Sequence, residues 1–236
     1  MRLCKTHFIF FICLFFLATV PAYCQRGTLG LDVGQTSDKS GGITAGSGLE
    51  ADLEGEFAVI RGGGKQNWPS IVAGGELRFP TDTQHHATEY AVYGGPMFRF
   101  GSHFSAGFHV QVRKILVPPS NQNGVAFNRL DFKLLELPFL AEYKFSTAPR
   151  HAFLRAEISP EFTPHYKSPV ANYSLPNPSF DHGYDIRGSV GYIFGKWYAK
   201  ATYETRYFKF ASTLGNPNDI YNWRTNRITG GVGYVF

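Results

Sequence analysis

Two kinds of residue in this chain could carry chemistry, and the first is a scatter of aspartates and histidines. They lie in or beside segments rich in turn-forming residues and are Asp82, His85, His86, Asp181, His182 and Asp219. Asp and His together can act as acid and base in hydrolysis. Adjacent His85 and His86 point opposite ways in an extended chain, which is poor geometry for chelating a metal. We interpret these side chains as solvated loop residues and assign no catalytic residue and no metal ligand.

The second kind is a row of acids with a period of two. Glu50, Asp52, Glu54 and Glu56 alternate with apolar residues and glycine in the segment 49–59, so the four carboxyl groups share one face of a strand. Such a row could line a cation-selective passage, or it could be the acid half of an ion-pair network. Arginines at inward positions of other predicted strands favour the network. The predicted set is Glu50, Asp52, Glu54, Glu56, Arg78, Arg99, Arg113, Arg187, Arg206 and Arg227.

Motifs of known catalytic or cofactor sites do not occur downstream of the first 24 residues. The G-x-S-x-G, P-loop, H-E-x-x-H and EF-hand patterns are all missing from that part of the sequence. The glycine-rich segment 62–65 is followed by no helical pattern that could supply amide groups to a phosphate. We therefore expect no cofactor.

The N-terminus has the features of an export signal. A basic start precedes an apolar run from Phe8 to Val20, and these 13 residues are too few for a membrane-spanning helix, which needs about 20. Ala22 and Cys24 supply the small residues of a cleavage site. We expect a signal peptide at residues 1–24 and a single mature domain at residues 25–236.

Removal of this segment would leave a chain with restricted chemistry. All three cysteines lie within it, so residues 25–236 can form no disulfide, thiol nucleophile or Cys-ligated zinc site. The remaining 21 basic and 18 acidic residues give a net charge of about +3, with no run of five like charges. These features do not support a nucleic-acid partner. No apolar stretch approaches 18 residues, so any membrane crossing must use strands.

Alternation with a period of two recurs along the rest of the chain. The 22 Phe, 13 Tyr, 3 Trp and 26 Gly residues suit strands and turns better than helices. Nine clear segments lie between residues 49 and 236, and a weaker one, with Leu29, Leu31 and Val33, stands first. The connections alternate between long ones, such as 36–47 and 167–179, and short ones, such as 101–102 and 195–196. Short periplasmic turns, long outer loops and an even strand count are typical of outer-membrane barrels.

The sorting of charge separates a membrane barrel from a soluble barrel or sandwich. The polar faces carry mixed acids and arginines, including twelve of the eighteen acidic residues, and the opposite faces carry large aromatic and aliphatic residues. This pattern favours lipid outside and a charged lumen inside. We predict an all-β fold, a transmembrane antiparallel up-and-down β-barrel of ten strands, with eight as the alternative. Side chains fill the interior of a barrel this small, so we expect a plug of ion pairs.

Aromatic residues cluster where the predicted strands meet the short turns. Tyr and Trp favour the headgroup level of a membrane because their rings are apolar and their OH or NH groups need a partner. The cluster predicts a periplasmic girdle made of Phe98, Phe100, Phe104, Tyr143, Phe145, Phe153, Tyr192, Phe194 and Trp197.

The last strand resembles the C-terminal strand of bacterial outer-membrane barrels, which ends in Phe after alternating apolar residues. The matching positions are Ile228, Val232, Tyr234 and Phe236, and the resemblance implies that the barrel-assembly machinery reads them. The segment from Leu135 to Phe145 is similar to a strand of small porin-family barrels. Pro138 within it lacks a ladder donor, so we expect a bulge or an unpaired position there.

These features together predict an integral protein of a Gram-negative-type outer membrane, with a structural, surface-interaction or narrow-channel role and no enzymatic activity. Its expected partners are outer-membrane lipid and, during insertion, the assembly machinery; the sequence names no extracellular ligand. One alternative is a hydrolase resembling the ten-stranded omptin proteases, which use Asp and His at the outer mouth. The other is a soluble exported barrel that binds a small ligand.

Overall fold

A computed structural model describes residues 27–40, 43–60, 69–81, 87–117, 120–122, 125–127, 130–167, 179–211 and 223–236. The strands are β1 (Gly27–Ser40), β2 (Ile43–Ile60), β3 (Ser70–Pro80), β4 (Thr88–Phe100), β5 (Phe104–Phe108), β6 (Val110–Val117), β7 (Ser120–Gln122), β8 (Val125–Phe127), β9 (Leu130–Glu136), β10 (Phe139–Lys144), β11 (Arg150–Lys167), β12 (Ser179–Phe194), β13 (Trp197–Ala211) and β14 (Trp223–Val235). None of the residues in these ranges forms a helix long and apolar enough to cross a membrane.

Twelve of these strands form one antiparallel sheet that closes on itself. Strand β1 pairs with β2 on one side and with β14 on the other, which completes the ring. Strands β5 and β6 continue one another between the same neighbours, as do β9 and β10, so the wall has ten strands. The short strands β7 and β8 pair only with each other. The predicted ten-stranded up-and-down barrel is confirmed, and the eight-stranded alternative is wrong because the weak first segment is part of the wall.

Pro138 interrupts the wall between β9 and β10 without shifting the pairing. The residues on either side of it keep one register against β11. The His109 N–H donates to the Pro138 carbonyl at 2.9 Å, but the proline ring has no N–H to donate in return. The structure therefore has the predicted unpaired position, and it has no bulge there.

Glycines make two tight turns at the end of the barrel where β1 begins and β14 ends. Gly101 has φ +72° and Gly195 has φ +79°, a conformation that costs other residues more because of their Cβ. At the same end the backbones of Gly27 and Phe236 exchange hydrogen bonds of 3.0 and 3.1 Å. The predicted short turns at these two places are confirmed.

The predicted long connection at residues 36–47 is wrong. Strand β1 continues to Ser40 and β2 begins at Ile43, with Thr36 opposite Gly48 and Ser37 opposite Ser47. The apolar alternation ends near Val33, but ladder hydrogen bonds join backbone groups and need no apolar side chains. The sequence pattern marks the lipid-facing part of these strands and misses their polar extension.

The outer surface of the barrel is covered by apolar side chains. Val92 and Ile228 are each 65% exposed. Other predicted outward residues that are exposed include Leu31, Val33, Leu49, Phe79, Tyr90, Phe108, Val112, Leu135, Phe139, Leu154, Ile158, Phe162, Tyr184, Ile186, Val190, Tyr203 and Val232. An apolar outside around a polar inside is the arrangement of a transmembrane barrel.

One member of the predicted aromatic girdle lies on the wrong face. Phe153 is buried and points inward, because it shares its face of β11 with Arg155 and alternates with outward Leu154. Gly191 makes room for it, since a Cβ there would lie 2.5 Å from the Phe153 ring. The other predicted girdle residues are exposed on the outside: Phe98, Phe100, Phe104, Tyr143, Phe145, Tyr192, Phe194 and Trp197.

Candidate functional site

The inward side chains of the upper barrel, on the side away from the turns at Gly101 and Gly195, form one connected set of acids and arginines, here called the lumen network. Alternation along the wall strands places these groups inside. Among the described residues the network has eight carboxylates and five guanidinium groups. They are Glu50, Asp52, Glu76, Glu89, Glu136, Glu161, Asp185 and Glu204, with Arg78, Arg113, Arg187, Arg206 and Arg227.

Glu89 on β4 joins arginines from several strands. Arg206 Nη1 lies 2.7 Å and Arg113 Nη1 3.1 Å from Glu89 Oε2. Arg78 Nη1 lies 3.5 Å from the same oxygen, and Arg227 donates to the other oxygen, Oε1. The carboxylate is almost completely buried, so these charge-assisted hydrogen bonds take the place of the water it loses.

Glu204 on β13 is a second point of connection. Arg78 binds it through two parallel hydrogen bonds of 2.6 Å, one to each carboxylate oxygen. Arg227 Nη1 donates to Oε1 at 2.7 Å, and Arg187 Nε donates to Oε2 at 3.0 Å. Two-point binding fixes the plane of the carboxylate as well as its position.

The ion pairs of the network reach across the barrel. Going round the wall, β4 is the fourth strand and β13 the ninth of ten, so Glu89 and Arg206 start from opposite sides. Their 2.7 Å contact therefore crosses the lumen. Glu56 on β2 and Arg155 on β11 are likewise five strands apart and are joined at 3.0 Å. Charged side chains therefore occupy the barrel axis at the level of Glu89 and Arg206 and again at the level of Glu56 and Arg155.

The upper half of the acid row on β2 belongs to the lumen network. Arg227 Nε lies 3.2 Å from a Glu50 oxygen, and Arg78 Nε lies 3.7 Å from Asp52 Oδ2. Both arginines belong to the set predicted from the sequence. The row thus faces cations at short range, as an ion-pair network requires.

The lower half of the row has partners outside the predicted set. Lys200 contacts Glu54 and also lies 3.0 Å from Asp32. The Tyr198 hydroxyl donates to Glu54 at 3.1 Å. Tyr93 similarly donates to Glu56 at 3.3 Å.

Glycines on neighbouring strands give the two tyrosines their space. A Cβ at Gly74 would lie 2.4 Å from the Tyr93 ring, and one at Gly233 would lie 2.3 Å from the Tyr198 ring. Both rings therefore lie close to glycine backbone on the inside of the wall. The inward glycines therefore allow bulky side chains to fill a narrow lumen.

Carboxylates outnumber arginines in the lumen network, and the excess is concentrated around Glu161. Glu161 on β11 lies directly opposite Glu136 on β9. Among the described residues neither Glu161 oxygen has a hydrogen-bond partner, and Arg206 Nε lies 3.5 Å from Oε1. Arg113 Nε, by contrast, is 2.9 Å from Glu136. Facing carboxylates repel each other when both are ionised, so this is the least compensated part of the network.

A small cavity lies below the contact between Glu89 and Arg206, on the side that faces the tight turns. It is bounded by the lumen network and by Asp32, Glu54, Lys200, Thr202 and Thr229, and its volume is about 10 Å³. That is room for roughly one water molecule. The interior around this cavity is therefore packed with charged side chains.

The structure places nine of the ten predicted lumen residues in these ion pairs and Arg99 elsewhere. Arg99 is exposed two residues before the turn at Gly101. Strand β4 ends one residue after it, so Arg99 lies at the rim of the barrel. Glu89 and Glu204 at the crossing points are not in the predicted set, although the same alternation places them on the polar face. Their central role comes from strand tilt and register, which bring distant strands to the same level.

The candidate hydrolytic residues are mostly outside the described part of the chain, namely Asp82, His85, His86 and Asp219. His182 on β12 is exposed, with its ring 6.2 Å from that of Tyr207. Within the described ranges no three His, Cys, Asp or Glu residues are arranged to hold a metal ion.

No protein-family model matches the chain, and no curated protein matches it. Solved structures with a similar architecture include outer membrane protease OmpT of Escherichia coli, with 9% identity, 89% of this chain and 96% of that one covered, and TM-score 0.48. Neisserial surface protein A has 14% identity, coverages of 88% and 96%, and TM-score 0.37. The translocator domain of autotransporter NalP from Neisseria meningitidis has 12% identity, coverages of 98% and 97%, and TM-score 0.42. All three TM-scores are below 0.5, and no functional residue is transferred from these proteins.

Proposed function

We propose that this protein is an integral outer-membrane barrel with a closed lumen, which anchors its longer connections at the cell surface for a structural or surface-interaction role. The observation that carries the proposal is the set of ion pairs across the axis, above all Arg206 with Glu89 at 2.7 Å. A passage for free diffusion needs an axis clear of side chains. Here guanidinium and carboxylate groups from opposite walls meet on it.

The distribution of connections supports display at one end. The start of β1, the end of β14 and the tight turns at Gly101 and Gly195 lie at one end of the barrel. The strand ends at the other end include those joined by the three longest connections in sequence, of 12 residues between β6 and β9 and 11 each between β11 and β12 and between β13 and β14; β1 and β2 are joined there by two residues, and β2 and β3 are joined at the first end by nine. In an outer membrane, short turns face the periplasm and long loops face outward.

The location is tested by fractionation and gel migration. The full chain is expressed in a Gram-negative host, and its membranes are separated by density. The protein is expected in the outer-membrane fraction, to require detergent for extraction, and to migrate differently before and after boiling. Release by osmotic shock in soluble form would support the soluble barrel instead.

Closure of the lumen is tested by planar-bilayer recording. The purified wild-type protein is expected to give no conductance steps above the empty membrane. The double variant Glu89→Ala/Arg206→Ala removes two long side chains from the axis with no change in net charge, and it is expected to conduct. Stable steps from wild-type protein would favour the narrow-channel role.

A matched control removes an ion pair that does not cross the barrel. Glu142 and Lys144 lie on the same strand, β10, with 3.3 Å between Oε1 and Nζ, and both are partly exposed. The double variant Glu142→Ala/Lys144→Ala should remain silent. If this control variant conducts to the same degree as Glu89→Ala/Arg206→Ala, the loss of any ion pair opens the barrel. The ion pairs on the axis would then have no special role.

A further inference from the structure

Two lysines lie side by side on the lipid-facing surface of the wall. Lys114 on β6 pairs directly with Lys133 on β9. Inward Arg113 and Leu134 alternate with them, so both lysines are on the outer face. Groups at directly paired positions of neighbouring strands have Cβ atoms about 5 Å apart. The two ammonium groups can therefore reach a single anion.

The position of this pair along the barrel places it at a headgroup level. Lys114 follows Phe104 of the lower aromatic girdle by ten positions, and Lys133 precedes Tyr143 of that girdle by ten. Ten residues extend about 33 Å along a strand, and a tilt of about 40° converts this to about 25 Å along the axis. That equals the height of the apolar band of a transmembrane barrel, about 25 Å.

The neighbours of the two lysines fit the same level. Val112 and Leu135, one outward position nearer the girdle, are 52% and 40% exposed and apolar. Tyr90 on β4 pairs with Lys114, and the Lys114 Nζ lies 5.8 Å from the centre of its ring. A hydrocarbon surface that ends in two lysines and a tyrosine is suited to an acyl chain with a charged head.

We propose that Lys114, Lys133 and Tyr90 form a binding site for the phosphate-bearing headgroup of a lipid in the leaflet away from the turns at Gly101 and Gly195. The lysines bind the phosphate oxygens, and Val112 and Leu135 contact the first part of the acyl chains. The site rests on the proposed insertion in an outer membrane, because it lies outside the barrel at the depth where headgroups begin. Its ligand class is an anionic phospholipid or phosphoglycolipid.

The test measures binding of a defined lipid to the full chain. The protein, held in neutral detergent and checked for a folded barrel by gel migration, is titrated with diphosphoryl lipid A, and bound lipid is counted by native mass spectrometry. The variant Lys114→Gln/Lys133→Gln is expected to bind it at least about tenfold more weakly, since each lysine near such a surface contributes on the order of a factor of five. Equal binding by wild type and this variant overturns the proposal.

A control variant separates this site from general charge attraction. Arg99 and Lys196 are exposed at the end that holds the tight turns, and Arg99→Gln/Lys196→Gln removes the same charge there. It is expected to bind lipid A as the wild type does. An equal loss in both variants would show that net charge sets the affinity, which contradicts a site.

Two additions to the lipid titration, a competition with inorganic phosphate and a vesicle-flotation assay, resolve the source of the phosphate and the dependence on membrane insertion. Inorganic phosphate at a hundredfold excess should not displace lipid A, because it lacks acyl chains; displacement would assign the pair to a soluble anion and contradict a lipid site. A wild-type protein that folds but fails to bind lipid A refutes only the lipid site. A wild-type protein that fails to float with vesicles refutes the proposed membrane function as well.

Discussion

Arg206 and Glu89 are on opposite sides of a ten-stranded barrel, and their charged groups are 2.7 Å apart. Each is almost completely buried. Burying a charge is costly unless it is paired and hydrogen-bonded. This contact therefore depends on the other ion pairs of the lumen network, and it joins opposite sides of the barrel.

Loss of an arginine is predicted to destabilise the barrel more than loss of an acid. The described network has more carboxylates than arginines, so Arg206→Gln leaves Glu89, Asp185 and Glu161 with less compensation. We expect a loss of roughly 3–5 kcal/mol in the free energy of unfolding, against a smaller loss for Glu89→Gln. Denaturant unfolding in micelles, followed by gel migration, measures both.

Arg99→Gln is the control for that comparison, because Arg99 is exposed at the barrel end. Its effect is expected to stay within about 0.5 kcal/mol. If Glu89→Gln lowers the free energy of unfolding more than Arg206→Gln does, a shortage of positive charge does not determine the stability of the network.

Glu161→Gln is predicted to stabilise the protein. The change removes the repulsion between Glu161 and the directly opposite Glu136 and keeps the shape of the side chain. Cross-strand pairs contribute up to about 1 kcal/mol, so a gain of that order is expected at neutral pH. The midpoint of the heat-induced gel shift provides the measurement, and a lower midpoint than wild type would count against repulsion at this pair.

Gly34→Ala is predicted to prevent the barrel from closing properly. A Cβ at Gly34 would lie 2.1 Å from the Ile228 carbonyl and 2.5 Å from Thr229 Cα, both of them backbone atoms of β14. Gly188 is the matched control, since a Cβ there meets nothing within 4 Å. Refolding into vesicles should fail or slow strongly for Gly34→Ala and proceed normally for Gly188→Ala. Equal refolding of the two variants would contradict the described approach of β1 to β14.

Phe236→Ala is predicted to impair assembly in cells more than refolding in the test tube, because we propose that the cell reads the last strand as a signal. The Phe236 ring also packs 5.7 Å from that of Phe57, so packing must be separated from recognition. Phe57→Ala removes the same contact and leaves the strand end intact. Outer-membrane yield and the rate of refolding into pure lipid are measured for both variants. If Phe236→Ala and Phe57→Ala lose the same fraction of outer-membrane yield and of refolding rate, the effect of Phe236 is due to packing alone.

The general architecture was predictable because it depends on alternation, and alternation survives in each strand by itself. Leu31 and Val33 were enough to mark the first strand, and Glu50 and Asp52 marked the inner face. Phe153 is the exception, because its aromatic type and its nearness to a turn suggest the girdle, whereas its alternation in step with Arg155 places it inside. The polar ends of β1 and β2 were missed because backbone pairing leaves no apolar pattern.

The centre of the network was not predictable from spacing. Glu89 and Glu204 belong to the inner face like the other acids, and only tilt and register decide which side chains meet on the axis. The partners of the lower acids depend on the same geometry: Lys200 and Arg155 come from strands far from β2 in sequence. The outward lysine pair likewise appears only when β6 and β9 are aligned.

The central claim is that the apolar face of each strand contacts lipid and the charged face lines the interior. It is tested by cysteine variants at two consecutive positions of β12, because residues 25–236 contain no cysteine. Val190 is 56% exposed and points outward, whereas Ser189 is buried and points inward. A fluorophore is attached at each position in turn and the protein is reconstituted with quencher-bearing lipids. Strong quenching at position 190 and weak quenching at position 189 is the predicted result, and the reverse order or no quenching at either position would contradict the claim.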